Sequence, residues 1–354
     1  MVVTKQDGSP RICVDYRALN AITIKDAHPI PNIDECFPHL GNAKYFTILD
    51  LKSGYWQIPL DKEAKLRAAF STRYGHFQWN VLPFGLTNAP GSFQRRINQI
   101  LAPFLDKFVI SYMDDILVYS GTIEEHYEHV KKVLLALREA QMILNIGKCE
   151  FFMSEVKFLG HIVSADGIRP DPGNIAKVIE WPVPKTITDV RGFNNLANHY
   201  ARYIENFAEL ALPLTDLQKG SPPKGTLIEW TPECQKAFDR IKRALTTEPI
   251  LWHPDMEKPF ILDPDSSQYR ISAVLQQYFQ DPDGKERLHP LGYESKKLTL
   301  TEQHYSSQER ELLAVKYALN HWRHILEGSE IIIRTDHESL KVYRMKRPMT
   351  KRLA

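Results

Sequence analysis

This sequence lacks most of the features that classify a protein at a glance. Four cysteines in 354 residues (Cys13, Cys36, Cys149, Cys234), far apart and in no zinc spacing, exclude a disulfide framework. They imply free, mostly buried thiols in a reducing compartment. A net charge of +2, from 45 basic and 43 acidic side chains, excludes a global positive field. Any nucleic-acid groove must therefore come from local basic residues. There is no signal-peptide pattern and no apolar run long enough to span a bilayer as a helix, so no membrane partner is expected. Internal repeats and low-complexity segments are also missing. The His126/His129 and His321/His324 pairs have helical spacing but no accompanying Cys or carboxylate pattern, and read as surface or packing histidines.

What is present is an ordinary composition, 43% hydrophobic and 25% charged, over a length that suggests two or three domains. VVT, QDGSP and RICVDY at the start read as strand, turn and returning strand. Residues 1–165 mix short strands with helices. From Val190, the positions Phe193, Leu196, Tyr200, Tyr203 and Phe207 follow one helical face, with Thr188 as the expected N-cap. KGSPPKG (219–225) reads as a linker. Thr231 and Pro232 then open a helix with Phe238, Ile241 and Leu245 on one face. From Lys258 the pattern is strand (PFILDPDSSQ), strand (ISAVLQQYF), a DPDG turn and strand (HPLGYESKKL). A helix opened by a Ser306/Glu309 capping box follows, with Leu312, Val315, Leu319, Trp322 and Leu326 at helical spacing. IIIRTD closes this α/β (α+β) region as a short strand.

One stretch asks for chemistry. VISYMDDILVYS (109–120) is apolar and β-branched except for two adjacent carboxylates, Asp114 and Asp115. A tight turn between strands explains them as well as a metal site does. A third carboxylate, Asp50, closes the strand-like run YFTILD, where it reads equally as a cap. If the two strands are neighbours, the three acids could converge around two Mg²⁺ ions, the arrangement nucleotidyl transfer requires. Mg²⁺ retains waters and phosphate oxygens, so few protein ligands suffice.

RICVDYRALN, FTILDLKSGYWQI, TRYGHFQW, LPFGLTNAPGSFQ, FVISYMDDILVYS and KFLGHIVSADGI stand in the order found in reverse transcriptases. The chain resembles the reverse transcriptase–ribonuclease H segment of gypsy-class LTR retrotransposon Pol polyproteins over almost its full length. The resemblance implies a right-hand fold of fingers and palm (1–165, N-terminally incomplete) and a helical thumb with connecting segment (166–257). A ribonuclease H-like domain (258–354, C-terminally truncated) would follow.

It also implies an RNA-directed DNA polymerase. Asp50, Asp114 and Asp115 would be its metal ligands for two Mg²⁺, with Mn²⁺ as a substitute. Tyr55 would be the gate against a 2′-hydroxyl and Phe84 a wall of the nucleotide pocket. Lys5 and Arg11 would grip the triphosphate, Lys148 would protonate pyrophosphate, and Leu159, Gly160 and His161 would form the primer grip. Tyr55, Phe84, Lys5, Arg11 and Lys148 each also have a plain reading as packing or solvated charge.

By the same resemblance Asp265 (in PDSS), Glu311 (in ERELLA) and Asp336 (in RTDHESL) form a second two-metal site, for cutting the RNA of a hybrid. Partners would be an RNA or DNA template-primer and dNTPs, with other Pol or Gag products beside them. The expected setting is the cytoplasm, a virus-like particle or the nucleus.

Three departures count against the nuclease. Pro264 stands where the family has Thr in a central strand, where proline cannot donate to the ladder. Arg270 and Ser272 replace glycines. The residues after Asp336 contain Glu338 as their one acid, without the family's fourth carboxylate. Two other readings stay open: a truncated, inactive retroelement remnant that at most binds nucleic acid, and an unrelated Mg²⁺ phosphotransferase. The latter explains the acids but none of the flanking segments.

Overall fold

The computed structural model describes residues 2–4, 10–27, 33–246, 250–335 and 343–345. Lys5 and Asp336 lie outside them, and the side chain of Arg11 is not described. The chain forms two compact units, Met1–Phe158 and Leu159–Ala354. The boundary falls ahead of residue 165, where the sequence suggested the first domain would end.

The strands of the first unit are β1 (Val2–Thr4), β2 (Pro10–Ile12), β3 (Tyr45–Asp50), β4 (Phe70–Thr72), β5 (Gly75–Phe77), β6 (Val109–Tyr112), β7 (Asp115–Ser120), β8 (Glu150–Met153) and β9 (Glu155–Phe158). β1 and β2 pair as the expected hairpin. The central sheet runs β6-β7-β3-β8, all antiparallel. Its apolar runs are buried because two helices, Ala89–Leu101 and Ile123–Glu139, turn their apolar faces to it. Thr122 and Glu125 cap the second of these reciprocally. On it, His126 is fully buried between Thr47 and Ser120 (2.8 and 2.9 Å), and His129 stacks on Phe108. Both are packing residues. Of the four cysteines, Cys36 and Cys234 are buried, whereas Cys13 and Cys149 are half-buried.

The second unit holds the hairpin β10 (His161–Ser164) and β11 (Gly167–Pro170), then helices Pro172–Ile179, Ile187–Asn198 and Pro232–Thr246. Phe193 and Phe238 join the last two, ring centroids 4.5 Å apart. The helix expected to run from Val190 to Phe207 breaks after Asn198 into a 3₁₀ turn, Ala201–Tyr203, and a short helix, Phe207–Leu210. Asn206, at φ 57°, is the residue from which that short helix starts. Its N-cap is Thr186 rather than Thr188, because Asp189 completes a capping box with Thr186 and Ile187 is buried.

A sheet follows in the order β14-β13-β12-β15-β16: β12 (Phe260–Ser266), β13 (Arg270–Gln280), β14 (Glu286–Lys297), β15 (Ile331–Ile333), β16 (Tyr343–Met345). Helix Ser307–His321 packs on it through Ala314 and Ala318, with the Ser306/Glu309 capping box formed. Leu312, expected on the apolar face, is exposed, and its neighbour Glu311 is buried instead. Pro264 does sit in the central strand β12. Among the described residues β15 pairs only with Phe260–Leu262, so no described ladder partner faces Pro264 on that side. Among the described residues, no helix is long and apolar enough to cross a membrane.

Candidate active site

β3 and β7 pair so that Asp50 stands opposite Asp115. Two residues, Met113 and Asp114, connect β6 to β7, since Tyr112 faces Asp115 across the hairpin. The acidic pair therefore sits in a tight turn, set beside the strand end that carries the third carboxylate. Two-residue hairpins need a residue with positive φ, normally Gly or Asn. Here Met113 takes it, at φ 51°. A side chain in that region is strained, and a partner must hold it.

The partner is Gln94, which sequence reasoning did not single out. It is fully buried on the Ala89–Leu101 helix. Its Oε1 accepts from Met113 N–H at 2.6 Å, while Nε2 donates to Ser111 O (3.1 Å) and Asn98 Oδ1 (2.8 Å). The only sequence signal was a polar residue at a position the helical period assigns to the core.

Electrostatically the cluster is starved of cations. Burial pushes the Asp114 carboxyl above its ordinary range, and the charges of Asp115 and Asp50 push it further. Asp115 is raised by burial and by Asp50. Lys148, in the 3₁₀ turn Ile146–Lys148, is near enough to oppose both shifts. Its loop is tied to the site, with Asn145 N–H donating to Asp50 O at 2.9 Å. Asp114 Oδ1 is buried and has no hydrogen-bond partner among the described residues. Such a group costs about 1–3 kcal/mol unless something satisfies it.

That orphaned oxygen, beside two further carboxylates, fits a divalent cation. Among the described residues, no three His, Cys, Asp or Glu side chains are placed as a cage that could hold a metal ion. Mg²⁺ completes its shell with water and phosphate, so such a cage is not required.

Gly54 makes the close approach possible. A Cβ there would lie 2.6 Å from Asp114 Oδ1 and 2.8 Å from the Phe93 ring. Tyr55 next to it is buried, stacked on Phe93 (4.9 Å, 13°) and tilted on Phe84 (4.9 Å). Its hydroxyl points to Met113 Sδ at 3.9 Å. Packing and proximity to the acidic turn coexist at this residue.

In the second unit, Leu159 and Gly160 turn into β10 with positive φ (51° and 83°). His161 is buried, its Nδ1 2.8 Å from the Tyr203 hydroxyl. Burial, with Arg202 and His199 nearby, pushes it down to about 2, so it is neutral and faces inward.

The two described acids of the second expected site, Asp265 and Glu311, are arranged differently. Asp265 Oδ2 is ion-paired with Arg270 Nη1 at 3.0 Å. Glu311 Oε1 accepts from Ser266 Oγ at 2.8 Å. Because Asp265 and Ser266 are adjacent in β12, they project to opposite faces of the strand. The structure thus gives Asp265 and Glu311 separate polar partners.

An acidic hairpin turn beside a strand-end carboxylate, on an antiparallel sheet backed by two helices, is the architecture of a polymerase palm. Residues 3–163 match the family of reverse transcriptases (RNA-dependent DNA polymerases), and residues 230–333 match the RNase H-like domain found in reverse transcriptase. The chain thus carries a reverse transcriptase domain followed by an RNase H-like domain.

It is 40% identical over 343 residues to the retrovirus-related Pol polyprotein from transposon 297 of Drosophila melanogaster, covering 96% of this chain and 31% of that polyprotein. The transposon Tf2-3 polyprotein of Schizosaccharomyces pombe is 37% identical over 358 residues, covering 100% of this chain and 26% of its own length. The chain thus spans less than a third of these curated relatives. Among solved structures, a foamy viral protease–reverse transcriptase in complex with double-stranded DNA superposes with a TM-score of 0.81 at 26% identity. That match covers 94% of this chain and 57% of the viral one. The foamy viral enzyme in complex with an RNA/DNA hybrid gives 0.79 at 26% identity, covering 94% and 44%.

Proposed function

We propose that the chain is the polymerase part of a retrotransposon Pol polyprotein and extends a primer 3′-hydroxyl with dNTPs on an RNA or DNA template. The observation that carries this reading is the convergence of Asp50, Asp114 and Asp115 at one hairpin tip, with a buried carboxylate oxygen left unsatisfied. These three would hold the divalent ions, Mg²⁺ or in its place Mn²⁺. When bound, such ions acidify the attacking hydroxyl and stabilise the leaving oxygen.

The chain's own residues supply position. Gln94 holds the turn, and Gly54 lets Asp114 lie close to the backbone. Tyr55 and Phe84 form an aromatic floor for the incoming sugar and base. Lys148 offers a positive charge, and a proton, near the departing pyrophosphate. Leu159 and Gly160 act on the primer through backbone, since the His161 ring is turned inward. Lys5 and Arg11 would grip the triphosphate. The functional division is then fingers and palm (1–165), thumb and connection (166–257) and ribonuclease H-like domain (258–354). Foamy viral relatives solved with double-stranded DNA and with an RNA/DNA hybrid support the choice of template-primer.

The test is primer extension on an RNA template with Mg²⁺ and four dNTPs, beside Asp50→Asn and Asp114→Asn. Both variants should fold as judged by circular dichroism and lose extension. Full extension by either would refute the assignment.

A further inference from the structure

The two acidic centres differ in one respect that decides whether each can take a metal. In the first, burial and mutual repulsion leave the carboxylates short of positive charge. In the second, a guanidinium is already present. Arg270 opens β13, and its side chain is only 12% exposed. Nη1 reaches Asp265 Oδ2 (3.0 Å) and Ser272 Oγ (2.6 Å), while Nε is paired with Glu209 of the Phe207–Leu210 helix. Ser272 is the register partner of Asp265 across β12 and β13, so the fork closes over the strand pair at the position of the acid.

Neighbouring contacts keep it there. Ala208 N–H donates to Ser295 Oγ (2.8 Å), and Lys297 Nζ to Asp216 Oδ1 (2.6 Å), fastening the same helical segment to the same sheet face. Two residues before Asp265, Asp263 is likewise matched by Arg334 and by Gln276 Nε2 (2.7 Å). A cavity of about 360 Å³ lies beside these groups, lined by Glu205, Asp263, Asp265, Ser272 and Tyr293. Its aspartates are met by fixed cations.

We propose that Arg270 is an internal cation standing in for a divalent ion at Asp265, so that this ribonuclease H-like centre does not bind Mg²⁺ or Mn²⁺ in the native chain. The physical reason is competition. A hydrated divalent ion would have to displace a half-enclosed guanidinium from three oxygen acceptors or sit against its positive charge. Mg²⁺, which dehydrates reluctantly, is poorly suited to either. The family places glycine where Arg270 and Ser272 stand, so the bulk and the charge arrive together. This inference rests on the membership of residues 230–333 in the RNase H-like family and not on the polymerase reading.

The experiment counts Mn²⁺ bound to the full chain by electron paramagnetic resonance. The proteins compared are the parent, Asp265→Asn, Arg270→Ala, Arg270→Lys and the Arg270→Ala/Asp265→Asn double variant. Parent and Asp265→Asn should bind the same number of ions, and Arg270→Ala one more, at least tenfold tighter at that site than the parent. The double variant should lose the added ion, and Arg270→Lys, which keeps the charge, should gain none. Primer extension, measured in parallel, should be unchanged by all four substitutions, which separates this result from failure of the polymerase reading. A parent ion lost on Asp265→Asn would overturn the proposal, and so would an Arg270→Ala chain that gains no ion. If Arg270→Ala does not fold, Arg270→Gln serves the same comparison, because it removes the charge and keeps a polar side chain.

Discussion

Gln94 offers the sharpest test of how the acidic turn is built. Replacing it by Leu keeps the volume roughly constant and removes an amide that makes three close hydrogen bonds in a fully buried setting. Asn98 and the Ser111 hydroxyl can turn to other partners, but Met113 N–H and Ser111 C=O are fixed in the backbone. Each fixed group left unsatisfied costs about 1–3 kcal/mol, or roughly 2–6 together. Burying Leu methyls instead returns about 1.5 kcal/mol. A net loss of about 0.5–4.5 kcal/mol follows, which lowers the midpoint by roughly 2–4 °C per kcal/mol in a unit of this size. Thermal and urea unfolding followed by circular dichroism would measure it.

The kinetic effect should be larger than the structural one. Met113 sits at φ 51°, and without Gln94 that strain can relax and carry Asp114 with it. A displacement of about 1 Å at a reacting centre costs on the order of 10²-fold in rate. Primer extension should therefore fall about a hundredfold at a temperature where the variant remains folded. Stability within about 0.5 kcal/mol of the parent together with unchanged extension would refute the reasoning.

Asp114→Asn should raise the stability of the metal-free chain while abolishing extension. The folded-state pKa of Asp114 is raised, so its charged form works against folding above the ordinary value of 3.8. The variant's advantage in urea should be largest near pH 7 and shrink as the pH falls through the raised pKa toward 3.8. An advantage independent of pH would count against like-charge repulsion. Mg²⁺ titrated into the parent should raise its unfolding midpoint, and Asp50→Asn should blunt that rise; equal shifts in both proteins would place the ion elsewhere. Gly54→Ala forces a methyl into Asp114 and Phe93, costing about 1–3 kcal/mol with a clear loss of extension. An unperturbed Gly54→Ala enzyme would mean the close approach is not needed.

Local chemistry made much of this protein legible before any coordinates. The capping box at Ser306, the Thr231–Pro232 helix start, the DPDG turn and the strand-like runs around Asp50 and Asp115 depend on neighbours in sequence, and the fold keeps them. The carboxylates that meet at the hairpin were visible as motifs because the turn between β6 and β7 is itself local.

What only the tertiary structure decided depends on long-range partners. The helix from Ile187 breaks after Asn198 despite an unbroken apolar period. Glu311 is buried and Leu312 exposed, because the sheet, not the helical pattern, chooses which face it covers. Gln94 acquires its purpose only when a turn nineteen residues away presents the Met113 N–H. His161 turns into its own unit because Tyr203 receives it. Asp50 and Asp265 look alike in sequence, each an acid in or at the end of an apolar strand. The first stands beside two more acids at the end of the strand pair. The second faces an arginine five residues along the chain and, through it, Glu209 from a different element. A carboxylate's chemistry follows from the charge that folding brings to it, and that charge is set by distance in space.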